Sequence, residues 1–199
     1  MLYSKHTLVQ TMKLPDKLII KQQIEPIELL TNFETKNKYR IMDENEKVLM
    51  YAYEDTHWLS RQILRQNRPI KIDIVDLKGK NVCTLERKWF LFKSKTTVHG
   101  EANGEIEQKS WAVKRVFDVY DSKGLAFTAS SRLHKIWTYN LLKDGKEVGT
   151  ILKKWKGVVQ ELYTDADQFD IDYKGTTEQK LLAIATALTI DLRFFEHHK

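Results

Sequence analysis

The sequence predicts a mostly β domain in which antiparallel hairpins close into a barrel around one apolar C-terminal helix. Three observations predict it. Short apolar runs with a period of two recur along the chain, paired across polar or glycine-containing turns. No helical pattern separates them, so successive strands neighbour one another antiparallel. The last apolar run has no polar face at all.

Met1–Leu18 carries the least pattern and is expected as a loose arm before a single domain spanning residues 19–199. Pro26 argues against one unbroken helix over Leu18–Leu30. Tyr39 and Ile41, then Val48 and Met50, flank the turn Asp43-Glu44-Asn45-Glu46. Ile70, Ile72 and Ile74 alternate with Lys71 and Asp73, and that strand turns at Lys78-Gly79-Lys80 before Val82–Leu85. Trp89-Phe90-Leu91-Phe92, between Lys88 and Lys93, is read as a buried strand in preference to an exposed loop. A weaker hairpin surrounds Gly100–Gly104. Val116–Tyr120 turns at Asp121–Gly124 and resumes at Leu125–Phe127, and Trp137–Leu142 turns at Lys143–Lys146 and resumes at Val148–Leu152. Asp-Gly and Lys-Gly supply the positive φ that tight hairpins need. So many strands from one chain leave open edges, which closure into a barrel removes.

Thr176 and Gln179 have capping-box spacing, with Glu178 in the first turn where the helix dipole favours it. Leu181 to Ile190 follows, rich in Ala and Leu and apolar on every side, which marks a helix surrounded by protein or lipid. From Leu181 to Phe195 the helix reaches only ~23 Å, against a hydrocarbon core of ~30 Å. Asp191 and Arg193 within it are costly in lipid. Leu181, Ile184, Leu188 and Phe195 are therefore expected inside the protein, against strands.

With 199 residues, 42% hydrophobic and 30% charged, the composition is that of a soluble globular domain. One cysteine, Cys83, makes a disulfide framework impossible and fits a reducing, cytoplasmic setting. No leader pattern and no run of 18 or more apolar residues is visible. The net charge of +6 and pI near 9.2 favour anionic partners, either lipid headgroups or nucleic acid, beside the plainer reading of a charge that only maintains solubility.

The densest basic patch is Lys153, Lys154 and Lys156 around Trp155, read either as a lipid- or phosphate-binding site or as a strand with a solvated basic face and a core tryptophan. Asp165 and Asp167 occupy positions 1 and 3 of an EF-hand-like spacing, but Phe169 at position 5 has no side-chain oxygen and Thr176 replaces the bidentate acid at position 12. A turn and strand with Phe169, Ile171 and Tyr173 inward is the preferred reading, and any calcium site there is weak. No phosphate-cradling glycine loop, His-Glu-x-x-His, Cys-x-x-Cys or Gly-x-Ser-x-Gly occurs, so the chain is not expected to be an enzyme, and it requires no firm cofactor.

Several stretches together resemble the phospholipid scramblase family, within the tubby C-terminal-like and LURP-one-related superfamily. They are Leu29–Tyr39, Glu54-Asp55-Thr56, Arg68-Pro69-Ile70 with Ile72–Asp76 and Thr84–Arg87, Lys154–Gly157, Thr164–Phe169, Ile190-Asp191 and Phe194–Glu196. The resemblance implies a tubby-like barrel of about twelve strands around a hydrophobic helix. It also implies calcium-dependent, ATP-independent movement of phospholipids between leaflets. Some members bind membranes through palmitoylated cysteines, and some enter the nucleus and bind DNA. Here the cysteine cluster is replaced by Lys88–Lys93, the cysteines after the acidic triplet by His57–Ser60, and the proline-rich extension is missing, so stable acyl anchoring is not expected. The expectation is a scramblase-family protein engaging anionic phospholipid, peripheral at a membrane surface. The alternative is a soluble tubby-like binding module or nucleic-acid-binding regulator that does not scramble. The sequence names no oligomeric state.

Overall fold

Period-two burial runs through the chain and places successive residues on opposite faces of each strand. The computed structural model describes residues 13–23, 37–55, 67–110, 112, 114–154 and 167–195. Among these, twelve strands follow in order: β1 (Lys17–Gln23), β2 (Lys38–Asp43), β3 (Val48–Glu54), β4 (Ile70–Asp76), β5 (Asn81–Arg87), β6 (Lys95–Gly100), β7 (Gly104–Ser110), β8 (Val116–Asp121), β9 (Gly124–Arg132), β10 (Lys135–Lys143), β11 (Lys146–Lys154) and β12 (Gln168–Tyr173). Each pairs antiparallel with its chain neighbours, and β1 pairs with β12 from Lys17↔Asp172 to Lys21↔Gln168, which closes the barrel. Tight turns set the register. Asp144 (φ 50°) and Gly145 (φ 74°) both take the positive φ of a type I′ hairpin between β10 and β11.

The helix α1 (Thr177–Phe194) fills the barrel. Thr176 accepts from the Gln179 backbone N–H at 3.2 Å, and the Gln179 side chain accepts from the Thr176 N–H, completing the capping box. Every residue from Lys180 to Leu192 is buried. The helix touches wall on several sides: Gln179 donates to Asp121 of β8 at 3.0 Å, Tyr39 of β2 donates to Asp191 at 2.8 Å, and Phe194 packs edge-on against Phe117 of β8. Gly104 in β7 lets the helix come close, because a Cβ there would lie 2.9 Å from Leu182 Cδ2 and strike the Tyr120 carbonyl. No helix among the described residues is long and apolar enough to cross a membrane. The wall's outer face carries cross-strand ion pairs, Lys95 with Glu105 and Glu107, and Lys109 with Glu107 and Asp118, where a lipid-facing barrel would show an apolar band.

Two expectations are corrected and a third is met. The arm boundary moves: β1 starts at Lys17, and Leu14 and Leu18 are both in the core. Residues 88–94 form a loop and not a strand, because Phe90 alone of the apolar run is buried. Residues 168–173 form a strand with Phe169, Ile171 and Tyr173 inward, the reading preferred over a metal loop. The strand β1 itself carried no expectation from the sequence.

The helix is a core element, so Leu188→Ala, at 1% exposure, should cost about 2–5 kcal/mol in denaturant unfolding. Cys83 is fully buried, and that burial, with Glu101 and Asp73 adding negative charge nearby, pushes its thiol up to about 12. Native protein at pH 8 should therefore resist alkylation at Cys83, while urea-unfolded protein should react to completion, as read by mass spectrometry.

Candidate functional site at the loop end of the barrel

Because the strands alternate direction around a closed barrel, their connections alternate between its two ends. One end has the short turns 44–47, 77–80, 101–103, 122–123 and 144–145. The other has the connections 24–37, 55–69, 88–94, 111–115, 133–134 and 155–167. The helix starts at the turn end and finishes at the loop end, where the polar chemistry of the interior gathers.

Across β1 to β5 this interior is a hydrogen-bonded line. Gln22 donates to Asn37 at 3.0 Å, and Asn37 donates to the fully buried Glu54 at 2.7 Å. Arg68 grips both Glu54 oxygens, through NH1 to Oε1 and through NH2 to Oε2 at 3.1 Å. Arg87 then donates to the Arg68 carbonyl at 3.3 Å. A bidentate guanidinium–carboxylate pair in low dielectric is strong only because its remaining groups are also satisfied, which Asn37 achieves here.

From Arg87 onward, cations lie against aromatic rings. Phe90 sits between the Arg87 and Arg193 guanidinium groups, each 5.1 Å from its ring centre. Arg193 also lies 5.5 Å from the Phe194 ring and donates to Gln108 at 3.3 Å. Arg115 lies 4.0 Å over Phe194 and 5.3 Å from Phe195. Burial first, and the Arg115 charge second, hold the Arg193 guanidinium below its ordinary value. The loop end is thus crowded with cations.

Lys153 closes the circuit. Its ammonium is 3.2 Å from Asp191, 2.8 Å from Asp167 and 3.9 Å over the Phe195 ring. At 5% exposure it faces inward, so it is not a docking lysine, which corrects the sequence reading. In β11 it shares the inward parity of Ile151, the signal that the sequence did contain. Lys154 points outward, half exposed, and pairs with Asp170. Trp155, Lys156 and Asp165 lie outside the described residues. Leu181, Ile184, Leu188 and Phe195 are buried at 0%, 0%, 1% and 5%. The calcium positions do not fit that ion: Asp167 holds an ammonium, Phe169 is in the core and the Thr176 hydroxyl caps the helix. Among the described residues no three His, Cys, Asp or Glu side chains gather as a metal site.

The surface above this interior matches the exposed-loop reading, which the sequence ranks second to a buried strand. Trp89, Leu91 and Phe92 are 53%, 59% and 73% exposed between exposed Lys88 and Lys93. Phe90, wedged between two arginines, fixes the loop so that its neighbours project outward.

The fold and this end define a closed, helix-filled barrel domain of the kind the resemblance implied. The chain belongs to the scramblase family, whose model, described as Scramblase, matches residues 2–197. It is 30% identical to phospholipid scramblase 1 of Mus musculus, across 91% of this chain and 61% of that protein. It is equally 30% identical to phospholipid scramblase 2 of Bos taurus, across 91% and 69%. Altered inheritance rate of mitochondria protein 25 of Saccharomyces cerevisiae is 22% identical, across 91% and 71%. The chain therefore spans about three fifths of the length of the mouse relative. No solved structure matches it.

Lys153→Met removes the cation facing the buried Asp191 and the part-exposed Asp167 and should cost about 3–5 kcal/mol in urea unfolding. Lys154→Met removes only a half-exposed pair and should stay within about 1 kcal/mol of wild type.

Proposed function

We propose that this chain engages anionic phospholipid at a membrane surface through the loop end of its barrel. The observation carrying this reading is the gathering of exposed aromatic and aliphatic side chains with lysines at that one end. Family membership supports phospholipid as the ligand, since the relatives are named phospholipid scramblases. We extend the reading to the activity implied for the family, ATP-independent phospholipid movement between leaflets.

The helix-filled barrel gives headgroups no axial route, so lipid movement belongs to the region where the outer surface meets the bilayer. Calcium is not what holds the protein to lipid in this reading, because Asp167 would have to exchange the Lys153 ammonium for the ion. The second reading, a nucleic-acid-binding module, draws on the same basic surplus and is separated by experiment.

Purified protein should sediment with vesicles containing phosphatidylserine and not with pure phosphatidylcholine, and binding should fall with salt. Flip-flop of labelled lipid in the same vesicles tests the extension directly. Binding to DNA with a steep logarithmic salt slope, and none to vesicles, would replace this reading with the second. Calorimetry should find calcium binding no tighter than roughly 10⁻⁴–10⁻³ M, and vesicle binding should survive chelation.

A further inference from the structure

Three connections that follow one another around the loop-end rim, 88–94, 111–115 and 133–134, contain no Asp or Glu. They carry Lys88, Lys93, Lys114 and Arg115, with Lys135 opening the next strand. At the turn end, by contrast, Glu44, Glu46, Glu101 and Asp144 sit among the lysines.

Among the described residues, Lys17, Lys71, Lys95, Lys109 and Lys154 each have a carboxylate partner within 4 Å. Lys88, Lys93, Lys114 and Lys135 have none among the described residues, and all four are exposed. The asymmetry lies in the missing acids and not in the ion pairing, since Lys78, Lys80, Lys123, Lys143 and Lys146 at the turn end are likewise exposed without an ion pair among the described residues. Beneath them lie the stacked guanidinium groups of Arg87, Arg193 and Arg115. This acid-free run of cationic connections coincides with the exposed apolar loop, and with Leu133, 58% exposed on the same rim.

Resting on the lipid-docking reading above, we infer that this half-rim is the bilayer-contacting face. The 88–93 loop is its inserted wedge, with the barrel standing loop end down. Trp89, Leu91 and Phe92 enter the interface, where an indole and apolar neighbours are favoured. Lys88 and Lys93 flank them at headgroup depth, their stems along the apolar boundary and their ammonium groups on phosphate. Phe90 does not enter. It is the rivet that holds the wedge rigid, so little loop entropy is lost on insertion. An anionic bilayer is the occupant that satisfies both features of the face, apolar points within an acid-free basic field. A second copy of the chain would bring the same positive charge against itself.

The test uses the whole chain. Trp89→Ser with Leu91→Ser and Phe92→Ser should weaken binding to phosphatidylserine vesicles at least about tenfold, and Lys88→Gln with Lys93→Gln by up to about thirtyfold at low salt. These side chains are exposed, so both variants should melt like wild type. Phe92→Cys can be labelled selectively because Cys83 is buried. An environment-sensitive dye there should shift to the blue on anionic vesicles and be quenched by lipid-borne quenchers at interfacial depth.

If wild type binds these vesicles while the serine variant binds equally well and the dye stays in water, the wedge is wrong and the docking reading stands. If wild type binds no vesicle, both fall. Concentration-dependent dimerisation abolished by the serine substitutions would overturn the bilayer in favour of a second copy.

Discussion

Twelve strands closed on themselves enclose a cylinder wider than the eight-stranded one that wall side chains just fill. An α-helix with its side chains is about 10 Å across and takes up that space. Its environment is wall in every direction, which is why the helix lost a polar face and why Lys180 to Leu192 are buried without a break. The same requirement acts on the wall, where Gly104 leaves room for Leu182. An isolated helix of this sequence would be insoluble and an empty barrel would collapse, so the two halves of the fold form together or not at all.

The direction of the helix then decides where charge collects. Its C-terminal carbonyls end at the loop end and favour cations there. Arg193 is in the last turn, and Arg115 and Lys153 reach the same region from the connection before β8 and from β11. Asp191 and Asp167 pair with Lys153, and Glu54 holds Arg68. Phe90, Phe194 and Phe195 supply ring faces to the cations. A ring face stabilises a desolvated cation without cancelling its charge. The field at this rim thus stays positive even though its sources are packed into the protein.

Much of the fold was legible because it is local. Hairpin turns announce themselves by Lys78-Gly79-Lys80 and Asp144-Gly145, and the helix by its cap and its unbroken apolar run. The strand β1 was not legible, since no tight turn joins Lys17–Gln23 to a partner: β2 follows only across the connection 24–37, and β12 is distant in sequence. The site was harder for two reasons. A basic cluster in sequence is not a basic patch in space: adjacent strand residues face opposite ways, so Lys153 went inward to Asp191 and Lys154 outward. The aromatic run 89–92 has the composition of a core strand, and only the barrel's count of strands shows that it joins two of them at a rim. The acid-free connections were all visible, but their adjacency comes from topology alone.

That rim also bears on how such a domain can act on lipids. Passing a headgroup through the barrel would require withdrawing the helix, breaking the Tyr39–Asp191–Lys153 tie and exposing its whole apolar surface. The hydrocarbon core that such a path must cross is ~30 Å thick and tolerates no unsatisfied polar backbone. Over β6 to β8 the outer side chains form an ionic ladder from Lys95 to Asp118 in place of a lipid-facing band. The proposed docking instead uses contact at one end, where the exposed apolar loop and the acid-free basic connections would meet the same headgroups. A loop of this size would reach only the interface, so in the proposed docking it would act on the packing of one leaflet. Any wider effect on the bilayer has to come from the density of such wedges on the surface and not from a route through one protein.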